Sequence, residues 1–284
     1  MRFGAHVRRG SKATTGVVRE CRLRGADCAQ VFLSNPRAWA SPRQTDEQVA
    51  AFREAWAASG LGPLIAHAPY LVNIASADPV FLGKSRALAI ASIEACDALG
   101  ADALVVHAGN GGGGDTHLAR RRAVASIDAV TEASERTRVL VELMAGTRGA
   151  VASTAAEAAE LLGRVAVDAV GLCLDTCHLF AAGYGLDTAE GVAALFDELR
   201  TEGLTGRIGL MHANDSEYGR GEHRDRHAPI GEGRIGSDGF GSLLARPEVA
   251  DLAFVLETPG EASDHAEQIA RLRALRPKPA RGPR

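Results

Sequence analysis

The chain has 284 residues, 46% of them hydrophobic and 24% charged, the balance of a soluble globular protein rather than a fibrous or disordered one. Its formal net charge is −3, which excludes coating of nucleic acid by bulk charge but is compatible with a local positive site. No apolar run approaches the roughly 18 residues of a membrane-spanning helix, and Met1-Arg2-Phe3-Gly4-Ala5-His6 is not a signal peptide. The five cysteines, without C-x-x-C spacing, predict reduced thiols in a cytoplasmic protein.

Taken in chain order, β-branched or aliphatic runs recur at 2–6, 29–33, 64–67, 103–107, 139–142, 171–175, 208–212 and 253–257. Most are nearly continuous apolar runs, the pattern of parallel strands covered on both faces. Between them, Ala-rich stretches predict helices over 45–59, 85–99, 117–136, 153–162, 188–200 and 263–275. Thr45 with Gln48 reads as a capping box, and Gly100 as the residue that ends the second of these helices. Eight strands alternating with helices predict a single-domain α/β fold, a (β/α)8 barrel over 1–270. Residues 271–284 are basic and interrupted by Pro277, Pro279 and Pro283, which predicts a solvated, disordered tail. The sharper alternative is an arm that touches phosphates.

The residues that end the strands carry the chemistry. Strands three to eight finish in His67, His107, Glu142, Asp175, His212 and Glu257. A barrel gathers the C-terminal ends of its strands at one mouth, so six metal-ligand types converge there. Each alone has a structural explanation, but six in register do not, because buried carboxylates without partners are costly. Asp175-Thr176-Cys177-His178 adds His178 one helical turn after Asp175. Asp225-Arg226-His227 adds two more side chains on one face of an extended segment. Five histidines and four carboxylates exceed the needs of one or two zinc ions at about four ligands each. With one carboxylate shared they suit three, and nitrogen and oxygen donors favour Zn²⁺ or Mn²⁺. Cys173 and Cys177 flank the cluster and read as packed core thiols.

The segments His67-Ala68-Pro69-Tyr70-Leu71, Val106-His107-Ala108-Gly109, Val141-Glu142-Leu143-Met144-Ala145-Gly146, Leu174-Asp175-Thr176-Cys177-His178, His212-Ala213-Asn214-Asp215-Ser216, Asp225-Arg226-His227 and Leu256-Glu257-Thr258 run in order across nearly the whole chain. Together they resemble the endonuclease IV family of apurinic/apyrimidinic (AP) endonucleases, within the xylose isomerase-like barrels. The resemblance implies three zinc ions per chain, with Mn²⁺ an option at one position. It gives His67, His107 and Glu142 to the first ion. Glu142 is shared with the second, which also takes Asp175, His212 and Glu257. The third takes His178, Asp225 and His227. Glu142 and Glu257 are then the expected catalytic carboxylates. Asn35-Pro36-Arg37-Ala38-Trp39 resembles the family loop whose arginine enters the duplex, here Arg37, and Tyr70 and Leu71 resemble the residues that wedge into the gap at the lesion. The implied activity is hydrolysis of the phosphodiester 5′ of an abasic nucleotide in duplex DNA, in base excision repair. The expected chain is a monomer without membrane or nucleotide cofactor, working in the cytoplasm at the nucleoid. Arg148, Arg220, Arg224 and Arg226 are further candidates for phosphate contact.

Two loops depart from the family pattern. After strand five stands Glu142-Leu143-Met144-Ala145-Gly146-Thr147-Arg148-Gly149, without the family's Asn and Gln. After strand four, Gly109-Asn110-Gly111-Gly112-Gly113-Gly114 formally spells G-x-G-x-x-G, but the acidic residue of a dinucleotide site is missing about 20 residues on. A flexible loop whose backbone approaches a phosphate fits better. Two other readings compete. Glu142, Asp175, His212 and Glu257 alone resemble the one-metal site of a sugar isomerase or epimerase, in which the other five ligand types have no role. A non-catalytic lesion-binding protein is the other. Of the remaining histidines, His6 ends strand one, where contact with the ligands and simple packing are equally open.

Overall fold

The protein is described as a computed structural model over residues 1–8, 16–167 and 169–277. Eight parallel strands close on themselves in the order β1, β2, β3, β4, β5, β6, β7, β10. They are β1 (Arg2–His6), β2 (Cys28–Phe32), β3 (Leu64–His67), β4 (Ala103–His107), β5 (Arg138–Glu142), β6 (Gly171–Asp175), β7 (Ile208–His212) and β10 (Ala253–Leu256). A short antiparallel pair, β8 (Asp215–Ser216) with β9 (His227–Ala228), lies outside the barrel. This is the expected (β/α)8 architecture.

Side chains alternate along a strand, and the alternation explains the site. Ile65, Val105, Leu140, Cys173, Leu210 and Val255 form one apolar cluster in the barrel interior. Each stands two residues before one of the expected strand-end ligands: His67, His107, Glu142, Asp175, His212 and Glu257. The same parity that fills the barrel therefore aims the ligands inward, one layer higher. Leu104, Val106, Val139, Val141, Leu172 and Leu174 point the other way and pack under the helices. Gly4 leaves room for the β1–β2 approach, since a Cβ there would lie 2.2 Å from the Cys28 carbonyl oxygen.

The helices are α1 (Gly16–Leu23), α2 (Asp46–Ser59), α3 (Pro79–Leu99), α4 (Thr116–Glu132), α5 (Ala155–Leu162), α6 (Thr176–Ala182), α7 (Ala189–Thr201), α8 (Gly236–Leu244) and α9 (Ala262–Leu275). The Thr45–Gln48 capping box and the left-handed Gly100 stand as expected. Three expectations need correction. Helix α3 begins at Pro79, six residues early, because the Asp78 carboxylate accepts the N–H groups of Val80 and Phe81. Helix α4 stops at Glu132 rather than 136, because Asp97 captures the N–H groups of Glu135, Arg136 and Thr137 and turns the chain into β5. Helices α1 and α8 have no counterpart in the sequence reading; α8 carries three glycines in nine residues, which hides its helical pattern. Helix α9 takes in 271–275, the start of the expected tail. Arg271 donates to the Ile230 carbonyl, and Arg273 pairs with Asp27 at 2.8 Å. Residues 278–284 of that tail lie outside the described residues.

Candidate active site

All nine expected ligands meet at the mouth of the barrel. Their donor atoms fall into three groups, each spanning less than 4.8 Å: His67, His107 and Glu142; Glu142, Asp175, His212 and Glu257; and His178, Asp225 and His227. Strand register explains the first two, since His107 lies opposite Glu142 and Asp175 opposite His212. Glu142 is fully buried, with His67 Nε2 at 3.0 Å and His107 Nε2 at 3.3 Å from Oε2, and His212 Nδ1 at 3.1 Å from Oε1.

The third group is built by local chemistry. Asp175 caps α6: its Oδ1 accepts the His178 N–H at 3.0 Å, so the helix starts where His178 faces the mouth. The other oxygen, Oδ2, accepts from Asn214 Nδ2 at 2.6 Å. His227 is delivered by the β8–β9 pair. Asp215, fully buried, accepts backbone N–H groups from Gly231, Gly233, Ile235 and Gly236 and so anchors the chain beyond it. His178 Nε2 and His227 Nε2 lie 3.2 and 3.1 Å from the two oxygens of Asp225.

These side chains suit divalent cations. Four histidines have one ring nitrogen aimed at an uncharged oxygen. His67 Nδ1 lies 2.7 Å from the Ala68 carbonyl, His178 Nδ1 2.9 Å from that of Leu143, His212 Nε2 2.8 Å from Gln30 Oε1, and His227 Nδ1 3.4 Å from the Glu257 carbonyl. A nitrogen facing such an oxygen carries the proton, so in the neutral ring the other nitrogen turns a lone pair toward carboxylate oxygens. Lone pair against carboxylate is repulsive unless a cation or a proton lies between them. His227 Nε2 is buried and makes no aligned hydrogen bond although Asp225 Oδ1 lies 3.1 Å away, which is the expected state of a ligating nitrogen.

Without metal, protons take that place. Burial would raise the Glu142 carboxyl, yet His212 and His107 hold it well below its ordinary value. Burial would lower His227, but Asp175 and Asp225 raise it to about 9. Asp225 is correspondingly held low by His178 and His227. Cys173 and Cys177 also border these groups, but burial lifts both thiols to about 12, so they stay protonated and are poor ligands.

Beside Glu257 opens a pocket of about 740 Å³, lined among others by His6, Phe32, Asn35, Arg37, Tyr70 and His265. Arg37 is exposed on the loop after β2, which an Asx turn at Asn35 shapes through the Arg37 N–H at 3.0 Å. Tyr70 is 62% exposed, its ring edge-on to Phe32 at 4.9 Å. Leu71 is half-buried and does not line this pocket. Arg148, Arg220, Arg224 and Arg226 are exposed, and Arg224 stacks over Tyr218 at 3.8 Å.

The glycine loop is not the open backbone expected for phosphate approach. The N–H groups of Gly111, Gly112 and Gly114 go to Gly149 O, Asn110 Oδ1 and Gly111 O. Gly109, Gly112 and Gly113 are glycines because φ is positive there. Two buried amides beside the ligand-type residues, Gln30 and Asn214, were given no role in the sequence analysis. The signal for Gln30 was available, a lone amide inside an apolar parallel strand, because such a group must find a partner.

Comparison with known proteins agrees with this geometry. The family model described as xylose isomerase-like TIM barrel matches residues 18–276. A protein of Persephonella marina named probable endonuclease 4 is 36% identical over 281 residues, covering 97% of each chain. Another so named, from Streptomyces coelicolor, is 38% identical over 88% of this chain and 87% of its own. The crystal structure of endonuclease IV from Thermus thermophilus superposes with a TM-score of 0.86 at 33% identity, covering 97% and 98% of the two chains. A D-tagatose 3-epimerase-like protein, at 18% identity and a TM-score of 0.74, shares the fold alone. The likeness spans nearly the whole length at 33% to 36% identity, and the chain belongs to the endonuclease IV family of the xylose isomerase-like TIM barrels.

Proposed function

We propose that this chain hydrolyses the phosphodiester 5′ of an abasic nucleotide in duplex DNA, leaving a 3′-hydroxyl and a 5′-deoxyribose phosphate, as a step of base excision repair. The observation that carries this reading is the division of nine ligand-type side chains into three adjacent groups, the first two of which share Glu142. His67, His107 and Glu142 would hold one ion, Glu142, Asp175, His212 and Glu257 a second, and His178, Asp225 and His227 a third. Bound divalent ions, Zn²⁺ first and Mn²⁺ as the option at one position, supply an activated water, charge neutralisation on the phosphate and relief of the leaving oxygen.

The chain's own residues do the rest. Glu142 belongs to both of the first two groups and would accept from the attacking water. Glu257, at the edge of the pocket, would help to orient that water. Arg37 and Tyr70, exposed on the pocket rim, meet the duplex and, with Leu71, fill the space left by the missing base. An abasic nucleotide is easier to extrude than a stacked, paired one, so selectivity arises from deformation. A nuclease of this kind would act as a monomer where the DNA is, in the cytoplasm at the nucleoid.

The sugar-epimerase reading draws on the second group and on a shared fold, but leaves His67, His107, His178, Asp225 and His227 idle. One experiment separates the two: purified protein is assayed on an abasic duplex and on ketose sugars, with and without chelator, while elemental analysis counts metal. Chelator-sensitive nicking with more than two ions per chain supports the endonuclease. One ion per chain with sugar turnover overturns it, and metal-independent binding without either activity favours a lesion-binding protein.

A further inference from the structure

Gln30 is fully buried at the centre of β2, in the otherwise apolar run Cys28-Ala29-Gln30-Val31-Phe32. Its amide meets three groups. Oε1 lies 2.8 Å from His212 Nε2, and Nε2 lies 2.6 Å from Glu257 Oε1 and 3.1 Å from His6 Nδ1. These partners fix which way the amide points. A carboxylate only accepts, so the amide nitrogen faces Glu257 and the oxygen faces His212. The second amide hydrogen goes to His6, whose ring is backed by Phe32 at 4.2 Å.

Two consequences reach the mouth. His212 must carry its proton on Nε2, which leaves the lone pair on Nδ1. That atom lies 3.1 Å from Glu142 Oε1 and 3.3 Å from Glu257 Oε2. The same amide occupies Glu257 Oε1, so Oε2 is the oxygen left for the group. Asn214 does matching work on the far side, donating to Asp175 Oδ2 at 2.6 Å and accepting the Glu257 N–H at 2.8 Å.

We infer that Gln30 is a positioning residue for the ion held among Glu142, Asp175, His212 and Glu257: one amide selects both the ligating nitrogen of His212 and the ligating oxygen of Glu257. The inference rests on reading that group as a metal site. It does not depend on the substrate.

The test is metal retention. Gln30→Met keeps the side-chain length and removes all three bonds. Metal-loaded wild type and variant are challenged with graded chelator, and the ions kept per chain are counted. Loss of one ion per chain at about 10- to 100-fold weaker chelation, with the others held as in wild type, is expected. A retention curve equal to that of wild type overturns the inference, and so does equal loosening of every ion, which marks a purely structural residue. A measurement on the wild type covers the case of a variant that does not fold. Long-range ¹H–¹⁵N correlation of the His212 ring in the loaded protein should find the proton on Nε2, and a proton on Nδ1 overturns the assignment. Neither readout uses DNA. A protein that holds its metal but leaves abasic duplex intact therefore sinks the endonuclease reading while the retention curve still decides Gln30.

Discussion

The ligand-type residues carried by barrel strands and those carried by loops reach the same mouth with unequal support. Glu142 and His212 are fully buried, and strand register sets each beside another ligand-type residue, Glu142 beside His107 and His212 beside Asp175. Asp225 instead has a side chain 49% exposed, and His227 hangs from a pair of two-residue strands. A strand residue is ordered by folding itself, whereas a loop residue gives up conformational freedom only when something holds it. The difference teaches that the strand-borne groups should retain ions most firmly, and that Asp225 and His227 make the third group, anchored only by the buried His178 of α6, the labile part of the site.

Four experiments break or sharpen this contrast. The largest effect is expected at Glu142, the residue shared by the two strand-borne groups. Glu142→Ala should lower nicking of abasic duplex by on the order of 10³-fold or more and release metal from both groups. Activity within about tenfold of wild type rules out a shared role. Asp225→Ala comes next: about 100-fold less nicking, with one ion lost and a lower unfolding midpoint, because both the ion and the pairing with His178 and His227 are removed. If this variant keeps its full metal complement, the loop group is no ligand set.

The third experiment is a pH series on chelator-treated protein. His227 is raised in the folded chain from the ordinary 6.5 to about 9. A raised value stabilises the fold fully below about pH 6.5, and that stability disappears as pH climbs through about 9. The urea midpoint of the metal-free protein should therefore fall across this window, while metal affinity rises because protons no longer compete. A midpoint that climbs with pH contradicts the His227–Asp225 pairing. The smallest effect is expected at Tyr70, which lies on the rim rather than in the ligand cluster. Tyr70→Ala should weaken binding of abasic duplex by about 5- to 100-fold, as measured by titration of labelled DNA. It should leave metal content intact and change stability by less than about 1.5 kcal/mol, since only an edge-on contact with Phe32 is lost.

Much of this was legible in the chain. Continuous apolar runs separated by Ala-rich helices pointed to the barrel, and the strand-end ligand types pointed to one mouth. The misreadings have local causes. Asp78 starts α3 early with a side-chain cap, and Asp97, on a neighbouring helix, ends α4 from outside. The β8–β9 pair is too short for any periodicity to show. The glycine run after β4 looked like free backbone, yet the 147–149 segment takes up its loop; Asn110 Nδ2 bonds the Arg148 carbonyl at 3.0 Å.

Sequence by itself determined the parity of each strand, and with it which side chains enter the barrel and which lie under helices. It also determined the donor chemistry at the rim, because residue type and the two-residue repeat are local properties. Only the tertiary structure decided which nitrogen of each histidine faces the carboxylates, which oxygen of Glu257 is left over, and that Gln30 supports His212 from 182 positions away. Local preferences act over a few residues, whereas barrel closure alone brings β2 and β7 residues within hydrogen-bonding distance.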